Sequence, residues 1–195
     1  MVMMRGGRLP ASGSGKKKSR QIQGASRLMV AGGVCCLGLV GAGWVGGLRV
    51  NATPSYPLGL WRIAPLTRPV GIGDRVFICL PEGPGLSVGL ARGYVRRGLC
   101  SGGAAPLIKR IVALAGQHVT IEQAVSVNGR AIPNSRIAAA DVEARQLLAY
   151  EGGLVPAGHL FLHSDYPGSY DSRYFGPVPA VGVLGMAEPI LTVDP

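Results

Sequence analysis

A run of 21 residues without a charged side chain, residues 28–48, most strongly limits how this chain can fold. Arg27 and Arg49 stand at its two ends. At about 1.5 Å per residue, a helix of this length spans roughly 30 Å, the thickness of the hydrocarbon core of a bilayer. Glycine is frequent in the run, but membrane helices tolerate it. The run therefore predicts a transmembrane helix over residues 28–48.

Positive charge is concentrated before this run. Residues 1–27 carry seven of the 20 Lys and Arg residues and no acidic residue, which leaves 13 cations and 10 acids for the rest of the chain. Because Lys and Arg favour the cytoplasmic side of a membrane helix, we expect a cytoplasmic N-terminus and an exported body over residues 49–195. The Gly-, Ser- and Lys-rich composition of residues 1–27 predicts a disordered tail.

Two other interpretations of the N-terminal segment are weaker. A cleavable signal peptide would have a shorter apolar region with small residues before the cleavage site, whereas Arg49 and Val50 follow this run. A nucleic-acid-binding arm would also be basic, but membrane topology already accounts for the seven cations. We therefore expect an uncleaved anchor in a lipid bilayer and no nucleic-acid partner.

The body is predicted to be mostly β, because its turn-forming residues are dense and its apolar runs are short. Predicted strands cover residues 75–80, 109–114, 119–121, 125–127, 130–132, 160–162 and 182–190, with one short helix over residues 137–150. Asn128 and Gly129 form a strong signal for a tight hairpin turn. Many short strands favour a barrel-like or folded-sheet domain.

The four cysteines divide between the two parts of the chain. Cys35 and Cys36 lie in the uncharged run, where cysteine behaves as a small apolar residue. Cys79 and Cys100 lie in the body, and an exported location allows them to form a disulfide across the Gly-rich segment 82–106. The three histidines show no metal-ligand spacing with these cysteines, so we expect no metal and no other cofactor.

Lys109 is the only lysine among the 13 cations that follow residue 27. It lies in an apolar stretch, residues 106–114. Because a desolvated lysine can lose its proton and an arginine cannot, Lys109 is a candidate general base. The alternative is an ordinary charge at the edge of a strand, in a chain whose composition favours arginine.

Ser55 lies seven residues after the uncharged run, and Pro54 and Pro57 flank it. Prolines restrict the backbone, which would hold the serine hydroxyl and its backbone N–H in a fixed place. Ser55 is therefore a candidate nucleophile. The alternative is a turn close to the membrane, where Pro, Ser and Gly are common.

A third polar segment, residues 164–178, contains two acids, one arginine and three serines within its first ten residues. One interpretation is a surface loop in which Asp171 pairs with Arg173. An ion pair beside a buried lysine would also tune the pKa of that lysine, so the same residues fit a functional role.

Together the three segments resemble the bacterial signal peptidase I family, and most closely its conjugal-transfer branch, the TraF-type peptidases. The resemblance covers residues 28–191. Its motifs follow in order as the anchor, S-x-P-x-G-L-W (55–61), G-D-x-V (73–76), a Cys-bounded insert, K-R-I-V-A-L-A-G (109–116), V-N-G (127–129) and D-S-R-Y-F-G-P-V (171–178). It implies a mostly β catalytic domain behind a single N-terminal transmembrane helix.

The resemblance also implies roles for individual residues. Ser55 corresponds to the nucleophile and Lys109 to the general base of a Ser–Lys dyad. Thr53 and the Ser55 backbone N–H correspond to the donors that bind the oxyanion. The family's residues that position the lysine and support that side of the site correspond here to Ser169, Asp171, Ser172 and Arg173.

The implied function is that of a membrane-anchored serine endopeptidase that removes leader peptides from exported proteins, with conjugative transfer pilin as the expected substrate. Its catalytic domain would lie on the periplasmic side of the bacterial inner membrane. The expected partner is a membrane-tethered preprotein or pilin with small residues before the cleavage site. Such a segment would bind extended, as an added strand at a sheet edge.

Three departures from the family pattern concern the pocket. Gln117 stands where many members have an acid, Tyr56 stands where general signal peptidases have Met, and His-Ser-Asp at 163–165 stands where the family has Gly-Asp-Asn. His163 allows a Ser–His–Asp triad, in which Lys109 would have no role.

Three alternative functions remain from the sequence. They are a general housekeeping signal peptidase, a non-enzymatic exported assembly module on the same fold, and a cytoplasmic self-cleaving repressor-type peptidase. The uncharged run argues against the last of these, and the intact dyad motifs argue against a decayed site.

Overall fold

The computed structural model describes the backbone of residues 14–194 and the side chains of residues 26, 27 and 29–194. The chain divides into two compact units, Met1–Val45 and Gly46–Pro195. In the first unit the structure describes one helix, and the second unit contains every strand that the structure describes.

The helix of the first unit, α1, covers Ser14–Val45. It begins inside the segment for which composition predicts a disordered tail: residues 14–27 belong to α1, where Lys, Arg and Gln are good helix formers, and residues 1–13 lie outside the described residues. It also ends three residues before the predicted end at residue 48. Gly47 adopts a φ of 82°, which glycine accommodates without strain, and strand geometry begins at Leu48. Within the described residues, no helix combines the length and the apolar character that a membrane crossing requires.

In the second unit the structure describes eleven strands, two short α-helices and two 3-10 turns, Ser101–Gly103 and Ala180–Gly182. The strands and α-helices are β1 (Leu48–Asn51), β2 (Leu58–Ala64), β3 (Arg75–Ile78), α2 (Pro84–Ala91), β4 (Leu107–Leu114), β5 (His118–Ile121), β6 (Val125–Val127), β7 (Arg130–Ala131), β8 (Gly153–Leu154), β9 (His159–His163), α3 (Ser172–Phe175), β10 (Val178–Pro179) and β11 (Val183–Val193). The prediction of a mostly β body is confirmed.

The strands form two sheets. A seven-stranded sheet has the order β1-β2-β11-β3-β4-β9-β10, and a four-stranded sheet has the order β7-β6-β5-β8. All recorded pairings are antiparallel. In the larger sheet, β4 lies between β3 and β9, and β2 carries the β1 hairpin at the edge. The polar segments of the sequence therefore start from central and edge strands of a single sheet.

A bulge in β4 connects two hydrophobic cores. The register between β4 and β9 shifts between Ile111 and Ala113. Ile111 packs in the core beside Val76 and Leu162, whereas Val112 and Ala113 pack in a second core with residues of the smaller sheet. Because a bulge bends a strand and increases its twist, one continuous strand can contribute to both cores.

The insert between Cys79 and Cys100 differs from a plain loop. The predicted disulfide is present, with Cα atoms 5.7 Å apart. The helix α2 lies inside the closed segment and was not predicted, although Pro84 at its first turn is a favoured helix start. Leu86 of α2 is buried in the first core.

The helix predicted over residues 137–150 is absent, and that prediction was wrong. Asp141 accepts hydrogen bonds from the backbone N–H groups of Glu143 and Arg145, both at 2.9 Å. Ala144 adopts a φ of 58°. Side-chain capping of this kind offers the backbone a turn in place of helical hydrogen bonds.

Candidate active site

Ser55 lies in the loop that joins β1 to β2. The hairpin pairs Asn51 with Gly59, so the nucleophile candidate sits at its turning end. The Asn51 side chain organises this loop. Its Nδ2 donates to the carbonyl oxygens of Thr53, Tyr56 and Pro57 at 3.0, 2.9 and 3.0 Å. These contacts hold the backbone on both sides of Ser55.

A second contact fixes Ser55 from the far side of the sheet. The hydroxyl of Ser164, directly after β9, donates to the backbone carbonyl of Ser55 at 2.6 Å. Ser164 is fully buried. This hydrogen bond, between residues 109 positions apart in sequence, therefore ties the hairpin loop to the third polar segment.

Lys109 lies on β4, with Val76 of β3 as its cross-strand partner. Its side chain is 2% exposed. Its Nζ donates to the Ser169 hydroxyl at 2.5 Å, and the Ser55 hydroxyl donates to the same Ser169 oxygen at 3.4 Å. In residues 46–194 no hydrogen bond joins Ser55 to Lys109 directly. The structure thus brings both dyad candidates to one shared partner, Ser169.

Burial sets the protonation of Lys109. Desolvation lowers the pKa of the amine from 10.5 to about 8. The Asp171 carboxylate opposes this by favouring the ammonium form, and the Arg173 guanidinium adds to it. The amine is therefore partly neutral near neutral pH, as a general base requires.

The Asp171–Arg173 ion pair is fully buried and positions Ser169. Arg173 donates from Nε and Nη2 to the two Asp171 oxygens at 2.8 and 2.9 Å. The same Nη2 donates to the backbone carbonyl of Ser169 at 2.9 Å. The ion pair therefore supports the residue that holds the Lys109 amine.

The pKa of Asp171 lies well below its ordinary value. Burial alone would raise the pKa, but the facing His163 ring, the Arg173 guanidinium and the Lys109 amine lower it to about 2. Ser172 beside it is also buried, and its hydroxyl accepts the Leu162 N–H at 2.9 Å, which fastens α3 to β9.

His163 does not form the triad that the sequence allowed. Its Nδ1 lies 3.4 Å from an Asp171 oxygen and its Nε2 lies 3.7 Å from an Asp165 oxygen. Neither nitrogen makes a hydrogen bond of normal geometry to any described residue, so no link to Ser55 exists. No group of three or more His, Cys, Asp and Glu side chains in the described part of the chain is placed to hold a metal ion.

The hydroxyl of Thr53, a predicted oxyanion donor, donates to Asn51 Oδ1 at 2.8 Å. It would have to rotate to face a substrate. The sequence interpretation missed Asn51 and Ser164 as organisers of the nucleophile loop. An Asn just before a Pro-rich turn is a usable signal for such capping, whereas nothing in the sequence singles out Ser164 from its neighbours.

The family of this chain follows from sequence comparison. The profile described as "Signal peptidase, peptidase S26" matches residues 25–192. The chain therefore belongs to the peptidase S26 signal peptidase family.

Its relatives include proteins named for conjugation. A conjugal transfer protein TraF of Agrobacterium tumefaciens is 53% identical over 157 residues, which is 80% of this chain and 89% of the relative. A probable conjugal transfer protein TraF of Sinorhizobium fredii is 49% identical over 162 residues, 83% of this chain and 86% of the relative. A plasmid transfer protein TraF of Escherichia coli is 35% identical over 177 residues, 88% of this chain and 98% of the relative.

A distant likeness to a solved structure also exists. The crystal structure of a signal peptidase I from Enterococcus faecalis aligns with 61% of this chain and 97% of its own, at 21% identity and a TM-score of 0.38. At this distance the likeness assigns no role to any residue.

Proposed function

We propose that this chain is a serine endopeptidase in which Ser55 is the nucleophile and Lys109 the general base. We further propose that it removes leader peptides from exported proteins of a conjugative transfer system. The observation that carries the proposal is the series of contacts from Ser55 Oγ to Ser169 Oγ, 3.4 Å, and on to Lys109 Nζ, 2.5 Å. Membership of the S26 family and the names of the relatives support it.

The first step is the activation of Ser55. A serine hydroxyl attacks a peptide carbonyl only when a base takes its proton. In the proposed route, Ser169 accepts the Ser55 proton and passes its own proton to the neutral amine of Lys109. Ser55 Oγ then bonds to the carbonyl carbon of the substrate. The resulting Lys109 ammonium protonates the leaving amine, and water later hydrolyses the acyl-enzyme with Lys109 again as base.

The tetrahedral intermediate needs donors for its oxyanion. The Ser55 backbone N–H has no recorded hydrogen-bond partner in residues 46–194, which suits this role. The Thr53 hydroxyl is the second proposed donor once it turns from Asn51. A donor of this kind contributes about 3 kcal/mol of transition-state stabilisation.

The proposed substrate is a membrane-tethered preprotein or transfer pilin with small residues before the cleavage site. The support is sequence-based: Ser55 lies only seven residues after the uncharged run at 28–48, which we propose as the anchor in the inner membrane. A nucleophile only seven residues from an anchor in sequence suits cleavage sites just past the apolar region of a leader peptide.

The test uses the full-length chain in proteoliposomes with the pilin precursor from the same transfer gene cluster. The wild-type chain should remove the leader, and the Ser55→Ala variant should leave the precursor intact. Ser126→Ala, which removes a partly exposed hydroxyl on β6, should cleave as the wild type does. An uncleaved precursor in the wild-type reaction would oppose the proposal. Preferential cleavage of a housekeeping preprotein would favour a general signal peptidase instead.

Asn51→Asp is expected to lower kcat about 10- to 100-fold, because small displacements of a nucleophile are costly. The carboxylate keeps the size of the amide but cannot donate to the three loop carbonyls that Asn51 now holds. Asn128→Asp is the matched control, since Asn128 contributes only an acceptor to the distant β5–β7 region. Steady-state cleavage rates and far-UV circular dichroism separate the loop effect from unfolding. A kcat equal to that of the control would exclude the capping role.

A further inference from the structure

The buried ring of His163 faces two carboxylates through its two nitrogens. Nδ1 lies 3.4 Å from Asp171 and Nε2 lies 3.7 Å from Asp165, and the side chain is 1% exposed. A neutral imidazole carries one N–H and can serve only one of the two carboxylates, whereas an imidazolium carries two. A neutral ring can therefore aim its one N–H at Asp171 or at Asp165, but not at both.

The two carboxylates differ in their surroundings. Asp165 is about half exposed, and it pairs with Arg110 at 2.5 Å. Asp171 is fully buried, and it is held by Arg173. His163 thus joins a surface ion pair to the buried ion pair beside Lys109.

We propose that His163 is a positioning residue for the peptidase reaction: its ring, through Nδ1, orients the Asp171 carboxylate and draws charge from it. This inference rests on the proposed function. The Asp171 charge favours the ammonium form of Lys109. A ring N–H aimed at Asp171 weakens that attraction, so it helps to keep the Lys109 amine neutral and active.

The charged and titratable groups around His163 come from five parts of the chain. They are Asp165 after β9, Asp171 and Arg173 at α3, Arg110 opposite His163 on β4, Arg75 next in the same cross-strand row on β3, and Tyr56 in the hairpin loop.

The pH dependence of kcat/KM tests the proposal. With the pilin precursor as substrate, the rising limb of His163→Phe should lie about 0.5–1 pH unit above that of the wild type, because the Asp171 charge then acts on Lys109 undiminished. Well above that limb its kcat should approach the wild-type value. His163→Gln retains an N–H donor, so it should restore the limb close to its wild-type position.

A long-range ¹H–¹⁵N NMR spectrum of the His163 ring in the wild-type full-length chain gives a readout that does not depend on cleavage. The ring proton should be on Nδ1, the nitrogen that faces Asp171. A neutral ring with its proton on Nε2 would overturn the proposal, and this arm decides if His163→Phe does not fold. The proposal would also be overturned if the rising limb of kcat/KM stayed at its wild-type pH in folded His163→Phe, or if this variant lost the same fraction of kcat/KM at every pH. A wild-type chain that cleaves no precursor would instead refute the proposed function.

Discussion

Lys109→Met is expected to reduce leader cleavage by about 10³-fold or more and, at pH 7, to raise the free energy of unfolding by about 3 kcal/mol. Cleavage falls because the variant lacks the amine that contacts the Ser169 hydroxyl. Stability rises because a side chain that is 2% exposed no longer carries a charge, and methionine has a similar volume and no polar head. The magnitude follows from the fall of the Lys109 pKa from 10.5 to about 8 on folding.

The stability gain should depend on pH in a defined direction. Below pH 8 the amine is protonated in both folded and unfolded chains, so the folded wild type bears the full cost of burying the charge. Between about pH 8 and 10.5 the folded chain releases its proton while the unfolded chain keeps it, and wild-type stability rises. The advantage of Lys109→Met should therefore be largest below pH 8 and vanish above about pH 10.5. Urea unfolding of the full-length chain in detergent at several pH values measures it.

Lys109→Arg is the matched control. It keeps the charge, which arginine cannot shed, so cleavage should be lost with no gain in stability. Cleavage by Lys109→Arg would exclude Lys109 as the base. A Lys109→Met chain less stable than the wild type at pH 7 would contradict the account of a desolvated amine.

The sequence located the dyad candidates but not the geometry that joins them. Lys109 is noticeable because it is the only lysine after the tail, and Ser55 because prolines flank it. Neither signal carries a distance. The link through Ser169 depends on the Asp171–Arg173 pair, whose burial results from the packing of α3 against β9.

Two features of the fold could not be predicted from local sequence patterns. The sequence gives no local signal for the bulge in β4, because the residues at the bulge are apolar and fit a regular buried strand equally well. The predicted helix at 137–150 failed because a single acceptor, Asp141, captures two backbone N–H groups. Periodicity measures the apolar face of a segment, and it does not detect such competition from one polar side chain.

Arg173→Met is expected to lower the free energy of unfolding by about 3–5 kcal/mol at pH 7, because it leaves the Asp171 carboxylate buried without its partner. It also removes the donor that holds the Ser169 carbonyl, so cleavage should fall as well. Arg68→Met removes an arginine from the exposed pair with Asp74, and it should have a much smaller effect. Urea denaturation and cleavage rates of the three full-length chains give both quantities.

The double variant Asp171→Asn/Arg173→Met separates stability from positioning. Asn keeps the size of Asp171 and an oxygen for the N-cap of α3, and no unpaired charge remains buried. Its stability should therefore exceed that of Arg173→Met, while cleavage stays low because Ser169 is still unsupported. The deficit of Arg173→Met should also shrink in acid, since burial without Arg173 raises the pKa of Asp171 and lets it protonate in the folded chain, whereas the wild-type pair keeps that pKa near 2. A double variant that regains full cleavage would show that the ion pair serves stability alone.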